Sequence, residues 1–289
     1  MRMTYWHAEK NYEKALLPLL VEGAAAAGIE LTIKPNADYR EPEGDASMIF
    51  GVTKREVLWD HQAKNFPLLY VDKGYCRERA ALGEKSVPAW WRMCWQDIHP
   101  TAYFMEGKRP EDRWKKMGMH LALRRASFPT DPVTILGSSG KFHLTMKLDD
   151  PTAWATRVRD EIHRYCRNPL IYRPKPSWKY AVPIEGMKFD WGSKTDVRAT
   201  LVGSWCAVTY GSIACVDAIC AGVPCIVLGN GVAAPVSGSF LNEVGNPAWH
   251  AIAARERWAA NLAYCNFTPT EIGDGTAWKI IKEQMDYAL

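Results

Sequence analysis

The 289 residues carry 36 Lys and Arg against 32 Asp and Glu, a net charge of +4, with 47% hydrophobic and 24% charged residues. That length suits two domains or one large α/β domain, and that balance excludes long disorder. No run approaches the roughly 18 apolar residues of a membrane span, and the opening residues lack the apolar centre of a signal peptide, so a cytoplasmic protein without a membrane span is expected.

Thr4–Trp6 reads as a first strand, Asn11–Ala27 as an alanine-rich helix ending at Gly28, and Ile29–Ile33 as a second strand. Ala46–Val52 and Pro67–Val71 are the predicted third and fourth strands, so a parallel sheet with covering helices is the economical reading. Ligands of such sheets bind beyond the carboxyl ends of the strands. That rule directs attention to His7, to Gly51-Val52-Thr53-Lys54 and to Asp72-Lys73-Gly74-Tyr75.

Residues 89–126 read as irregular, with Pro100 and Pro110 as breakers, and collect Trp90, Trp91 and Trp95 beside Lys108, Arg109, Arg113, Lys115, Lys116, Arg124 and Arg125. Two readings stay open: a basic, aromatic surface facing phosphates, or a solvated helix face paired with Glu111 and Asp112 above a core that takes the rings. Phe128–Pro132 looks like a linker. Val133–Leu136 is then a strand, followed by Gly137-Ser138-Ser139-Gly140-Lys141, which reads either as an ordinary turn or, from its small residues and single cation, as a loop suited to an oxyanion without the Walker spacing. Asp150–Arg164 is a helix capped by Asp150 and opened by Pro151, with Trp154, Val158 and Ile162 on one face. Leu170–Tyr172 is a strand that leads into Arg173 and Lys175, stiffened by Pro174 and Pro176; the stretch up to Lys194 reads as loop, with Tyr180–Pro183 placed near a nucleobase from position alone.

The most structured stretch runs from Leu201 to Gly229. Cys206–Thr209 is an apolar strand, Tyr210-Gly211-Ser212 a turn of small residues, and Ile213, Val216, Ile219 and Cys220 recur at helical spacing until Gly222-Val223-Pro224. Cys225–Leu228 is the next strand. A small-residue turn opening a helix suits phosphate, and Asp217 lies five residues after Ser212, about 7.5 Å along a helix axis, within reach of a ribose. Asn230–Asn246 reads as a loop able to close over a ligand, and Ala248–Cys265 and Glu271–Leu289 as helices. None of the eight cysteines forms Cys-x-x-Cys, so buried thiols rather than zinc are expected. No Asp-x-Asp and no Gly-x-Gly-x-x-Gly opening an N-terminal helix is present, which argues against a metal held that way and against nicotinamide chemistry.

The order of small-residue turn, five residues, acid, Ala-x-x-Ala-Gly-Val-Pro over 218–224, and apolar strand resembles the C-terminal domain of glycosyltransferases of the two-Rossmann-domain (GT-B) type. It is most similar to the branch of capsule-polysaccharide and Kdo transferases, where the acid is usually glutamate and here is Asp217. Tyr172-Arg173-Pro174-Lys175-Pro176-Ser177 resembles a basic, proline-rich loop of the same family, with Lys175 where the family has histidine. The resemblance implies an α/β fold of two Rossmann-like domains facing across a cleft. The implied division is an acceptor domain over 1–128, a nucleotide-sugar domain over 129–265, and a terminal helix over 266–289 that returns to the first.

The implied activity is metal-independent transfer of a sugar from a nucleotide donor, expected to be UDP-linked, with no cofactor. Ser138, Ser139, Gly140, Lys141, Arg173, Lys175, Tyr210, Gly211, Ser212 and Asp217 are the expected donor-binding residues. An inverting transfer needs a base for the acceptor hydroxyl, and Asp72, His7 and the Asp97–His99 pair are the options. Lys108, Arg109, Arg113, Trp91 and Trp95 are the expected acceptor contacts. Two acceptors compete, a surface glycan and a hydroxymethylated pyrimidine in double-stranded DNA, as in phage base-modifying transferases, with the lean to DNA. A non-catalytic nucleotide or nucleic-acid binding module is the reading from another class.

Overall fold

The computed structural model describes residues 1–8, 11–76, 78–82, 85–191 and 196–287. In chain order the elements are β1 (Arg2–His7), α1 (Asn11–Ala26), β2 (Glu30–Pro35), β3 (Ala46–Phe50), α2 (Arg55–Lys64), β4 (Leu68–Lys73), β5 (Arg79–Leu82), β6 (Lys85–Pro88), β7 (Trp91–Trp95), α3 (Thr101–Glu106) and α4 (Asp112–Lys116). Then follow β8 (Val133–Leu136), α5 (Gly140–Thr145), α6 (Pro151–Ile162), β9 (Leu170–Arg173), β10 (Met187–Phe189), α7 (Val197–Leu201), β11 (Cys206–Thr209), α8 (Ala214–Cys220) and β12 (Cys225–Val227). The chain ends with α9 (Ile252–Ala263), β13 (Asn266–Phe267), α10 (Pro269–Gly273) and α11 (Thr276–Tyr287). Two compact units result: Met1–Tyr103 with Asn261–Leu289, and Phe104–Ala260.

The first unit is built on a sheet of order β13-β7-β4-β3-β1-β2, parallel from β2 to β4, with β7 antiparallel to both β4 and β13. Leu16, Leu20 and Ala24 recur every four residues on α1 and are wholly buried against Met3, Tyr5, Met48, Phe50, Leu69 and Val71. Each of the two leucines contributes about 2 kcal/mol of burial energy. Trp278 and Ile281 of α11 and Ile272 of α10 join the same core.

The second unit has an all-parallel sheet of order β10-β9-β8-β11-β12. Strands buried on both faces need continuous apolar runs, which Val133–Leu136 and Cys206–Thr209 provide. Trp154, Val158 and Ile162 of α6 pack on them, and Asp150 caps that helix by accepting from the N–H groups of Thr152 and Ala153. The chain leaves β8 toward β9 on one side and meets β11 on the other. The crevice beyond β8 and β11 is therefore the topological switch point where open α/β sheets bind ligands.

Several segments differ from their sequence reading. The irregular stretch 89–126 contains β7, held in register opposite β4 by backbone pairing that no local pattern announces. The loop reading up to Lys194 contains β10, while residues 192–195 lie outside the described residues. The helix expected over Glu271–Leu289 is two helices, broken at Gly275, whose φ of +85° a residue with a side chain rarely adopts. Its last two residues, 288 and 289, lie outside the described residues.

Candidate functional site

In the second unit, four loops meet beyond the strand ends. Thr209, the last residue of β11, donates its hydroxyl to the Leu136 carbonyl at 3.0 Å and accepts from the Ser212 N–H at 3.0 Å, which ties the β11 turn to the end of β8. Ser212 in turn accepts from the Ala214 N–H at 3.4 Å. Its own N–H is thus committed within the turn. Ser139 caps α5 by accepting from the Phe142 N–H at 3.3 Å. The N–H groups of Gly140 and Lys141 precede the first carbonyl a helix offers and have no partner within it.

Glycines let the loops approach. A methyl on Gly211 would stand 3.0 Å from the Phe142 ring, one on Gly229 2.5 Å from the Tyr210 ring, and one on Gly140 2.5 Å from the six-membered ring of Trp178. Gly137 donates its N–H to the Arg173 carbonyl at 2.9 Å, so the β8 and β9 loops are joined as well. The structure therefore brings Ser138, Ser139, Gly140, Lys141, Tyr210, Gly211 and Ser212 to one edge, with Lys175 exposed beside them and Asp217 half-buried in the first turn of α8. Loops 137–143, 173–184, 209–216 and 228–237 include Lys141, Arg173, Lys175 and Lys179 and contain no Asp or Glu.

Arg173 departs from its expected role. Its guanidinium is 6% exposed and donates to Asp190 at 2.5 Å and to Thr200 at 2.8 Å, with Thr200 itself bonded to Asp190. The positive charge is neutralised inside the unit at the β10 side of the sheet, so the arginine braces the edge instead of presenting a free cation to it.

The first unit ends its strands differently. Asp72 Oδ2 accepts from the Tyr70 hydroxyl at 2.9 Å and from Arg92 Nη2 at 3.1 Å, and Oδ1 accepts from the Lys73 N–H at 2.8 Å. Arg92, on β7 directly opposite Asp72, is almost wholly buried, with its guanidinium carbon 4.8 Å and 5.2 Å from the ring centroids of Tyr70 and Tyr75. His99 Nδ1 lies 3.2 Å from Arg92 Nη1 and 2.9 Å from the Tyr75 hydroxyl. Burial pushes the Asp72 carboxyl up, but the Arg92 charge and the three hydrogen bonds outweigh it and hold the group below the usual carboxylate range. Burial, helped by the Arg92 charge, drives His99 well below the usual imidazole range, so the ring stays neutral. The Asp72 side chain is 29% exposed and forms the open end of this network.

His7 and Asp72 belong to opposite faces of the sheet. Trp6, Ile49 and Tyr70 stand side by side in register, which gives Asp72, two residues on, the face of Tyr70, whereas His7 shares the face of Tyr5. His7 packs edge-on against Tyr5, and its Nε2 is buried without a partner.

The expected acceptor contacts do not form a surface. Trp91 and Trp95 point from β7 into the core under α1 and α11, where Trp91 is fully buried and Trp95 7% exposed. They belong to the first unit, whereas Lys108, Arg109 and Arg113 belong to the second. There Lys108 is exposed, Arg109 half-buried and Arg113 buried on α4 beside Trp114. Alternation along the strand is the physical reason: in Trp91-Arg92-Met93-Cys94-Trp95 the odd positions face the core and the even ones the polar network. The same alternation was the signal for Arg92, which composition alone did not mark out.

Among the described residues no group of three or more His, Cys, Asp and Glu is placed to hold a metal, and no helix is long and apolar enough to cross a membrane. Burial pushes the thiols of Cys206, Cys215 and Cys225 up, as suits small core hydrophobes.

No protein-family model matches the chain, and no curated protein matches its sequence. Among solved structures it is similar to KpsC of Thermosulfurimonas dismutans, a beta Kdo 2,4 transferase, with a TM-score of 0.54 and 12% identity over 90% of each chain. The chain has the fold of the two-Rossmann-domain glycosyltransferases. Lower scores are found with a second KpsC structure of that organism, a beta Kdo 2,7 transferase (TM-score 0.47, 10% identity, 96% of this chain and 99% of that one), and with the glycosyltransferase SnogD from Streptomyces nogalater (0.34, 10%, 98% and 99%). In open α/β sheets ligands bind beyond a switch point such as the edge past β8 and β11, and the Asp72 network is a separate polar centre in the first unit.

Proposed function

We propose that the protein is a glycosyltransferase that binds a nucleotide-sugar donor, in the first instance UDP-linked, on the strand-end loops of its second unit. The observation that carries this is the edge itself: glycine-lined turns at a switch point, three exposed or half-exposed lysines at 141, 175 and 179, and no carboxylate in the converging loops. Lys141, Lys175 and the N–H groups of Gly140 and Lys141 take the phosphates, Ser138, Ser139, Tyr210 and Gly211 line them, and Asp217 accepts the ribose hydroxyls. The leaving nucleotide is stabilised by these donors and cations as the bond to the sugar breaks.

Asp72 takes the acceptor proton in this reading. It is ionised at neutral pH and open at one end; being a weak base, it receives the proton late, once the acceptor oxygen has begun to bond to the anomeric carbon. The acceptor is assigned to the glycan class, which is supported by the likeness over 90% of the chain to a structure described as a Kdo transferase. The tryptophans that favoured DNA are core residues and Arg113, one of the three arginine and lysine contacts, is buried, so these residues do not favour DNA.

Calorimetric titration with UDP, GDP, CDP, CMP and TDP, repeated on Asp217→Ala, tests the donor site. One nucleotide is expected to bind selectively and to lose its binding in the variant. If none binds, the donor assignment fails. Asp72→Ala is expected to abolish transfer with nucleotide affinity unchanged, whereas a wild-type protein that binds nucleotide but turns over no donor is a binding module.

A further inference from the structure

Tyr180 is 77% exposed, a large ring left in solvent on the loop that packs against the Gly140 turn. It does not hang loose. Its ring stands edge-on to Trp178, with centroids 5.2 Å apart and planes at 69°. Trp178 is wedged in turn onto Gly140, where no methyl fits, and its N–H closes a turn by donating to the Lys175 carbonyl at 2.8 Å. The buried Ala181 anchors the next residue, and Pro174, Pro176 and Pro183 restrict the backbone on both sides. Tyr180 is thus a pre-ordered flat face attached through one indole to the Ser139-Gly140-Lys141 turn. The indole Nε1 of Trp178 is buried without a partner, a polar group that nothing in the described protein satisfies.

A lone exposed aromatic needs no explanation. This one has three independent companions: a rigid mount, an adjoining anion-suited turn, and Lys175 and Lys179 on either side of the indole in a stretch, 173–184, without a single carboxylate. A planar, weakly polar surface next to a cationic turn matches one class of ligand, a nucleotide, whose base stacks while its phosphate is neutralised. A bare sugar would use the ring but not the lysines.

We infer that Tyr180, backed by Trp178, is the stacking face for the nucleobase of a nucleotide whose phosphate lies on the Ser139–Lys141 turn. The inference rests on the donor reading above and adds to it the element that holds the base.

The test compares wild type with Tyr180→Ala and Tyr180→Phe, titrating the nucleotide that binds wild type best, and ribose 5-phosphate and pyrophosphate as probes that lack a base. Tyr180→Ala is expected to weaken the nucleotide about tenfold, as loss of one base stack does, to leave both base-free probes unchanged, and to be rescued by Tyr180→Phe. Because the side chain is exposed, the fold should be indifferent to the change. Nucleotide affinity unaltered by Tyr180→Ala overturns the stacking role while the donor site stands. Equal weakening of nucleotide and pyrophosphate overturns it too, since the ring would then act on the phosphate turn. If wild type binds no nucleotide, the donor reading and this inference both fall.

Discussion

At the strand ends of the first unit, polar groups bond one another: Asp72, Tyr70, Arg92, His99 and Tyr75 form a buried network with one carboxylate at its opening. At the strand ends of the second unit the equivalent position is occupied by glycine and serine turns with lysines around them, and the buried pair of Arg173 with Asp190 is set back toward β10. Both are carboxyl edges of parallel strands. One holds its charges by internal hydrogen bonds; the other carries exposed lysines and the N–H groups of a helix start, which the proposed function assigns to an external anion. A site that must present one fixed group is served by the first construction, and a site that must admit and release a charged ligand by the second.

The sharpest way to break that contrast is to remove the buried arginines. Arg92→Met and Arg173→Met each strand a partly buried carboxylate and should cost on the order of 3 kcal/mol in urea unfolding. If Arg173→Met instead leaves stability intact and weakens nucleotide binding, the arginine serves the ligand edge and the contrast fails there.

The pH dependence of stability separates the two edges next. His99 titrates far below its unfolded value, so below about pH 6.5 the unfolded chain takes up a proton that the folded chain refuses. Stability therefore falls as pH drops from there, by about 1.4 kcal/mol per pH unit for this group. Asp72, with its pKa lowered, contributes stability present above about pH 4, which is lost only as pH falls further. Urea unfolding of His99→Gln at pH 7, 6 and 5 should show a flatter decline than wild type, and an unchanged slope would mean that His99 is not held neutral.

The smallest effect belongs to the open edge. Ser139→Ala removes the cap of a short helix and should cost about 1 kcal/mol, with no change in the slope of stability against pH. A loss several times larger would show that this turn is as tightly interlocked as the Asp72 network.

Much of the second edge was legible because its chemistry is local. Strand, small-residue turn and helix follow one another within a few residues in Gly137–Lys141 and in Cys206–Cys220, and spacing alone marks them. The Asp72 network was half legible. Asp72 stands at the end of a readable strand, but Arg92 comes from a strand that pairs antiparallel across a segment with no recognisable strand boundary, and His99 follows in the same stretch. Without that register the side of the strand taken by Trp91 and Trp95 is not legible.

By itself the sequence determined the α/β class, the parallel strands, the turns suited to phosphate and the absence of a long apolar helix, because periodicity, glycine placement and charge act over a few residues. The tertiary structure alone decided which side of β7 the tryptophans take, that Arg173 is spent on Asp190, that His7 and Asp72 face apart, and that Trp178 binds Tyr180 to the Gly140 turn. These depend on pairing register and on contacts between residues up to dozens of positions apart, and no window of local sequence contains the partner that settles them.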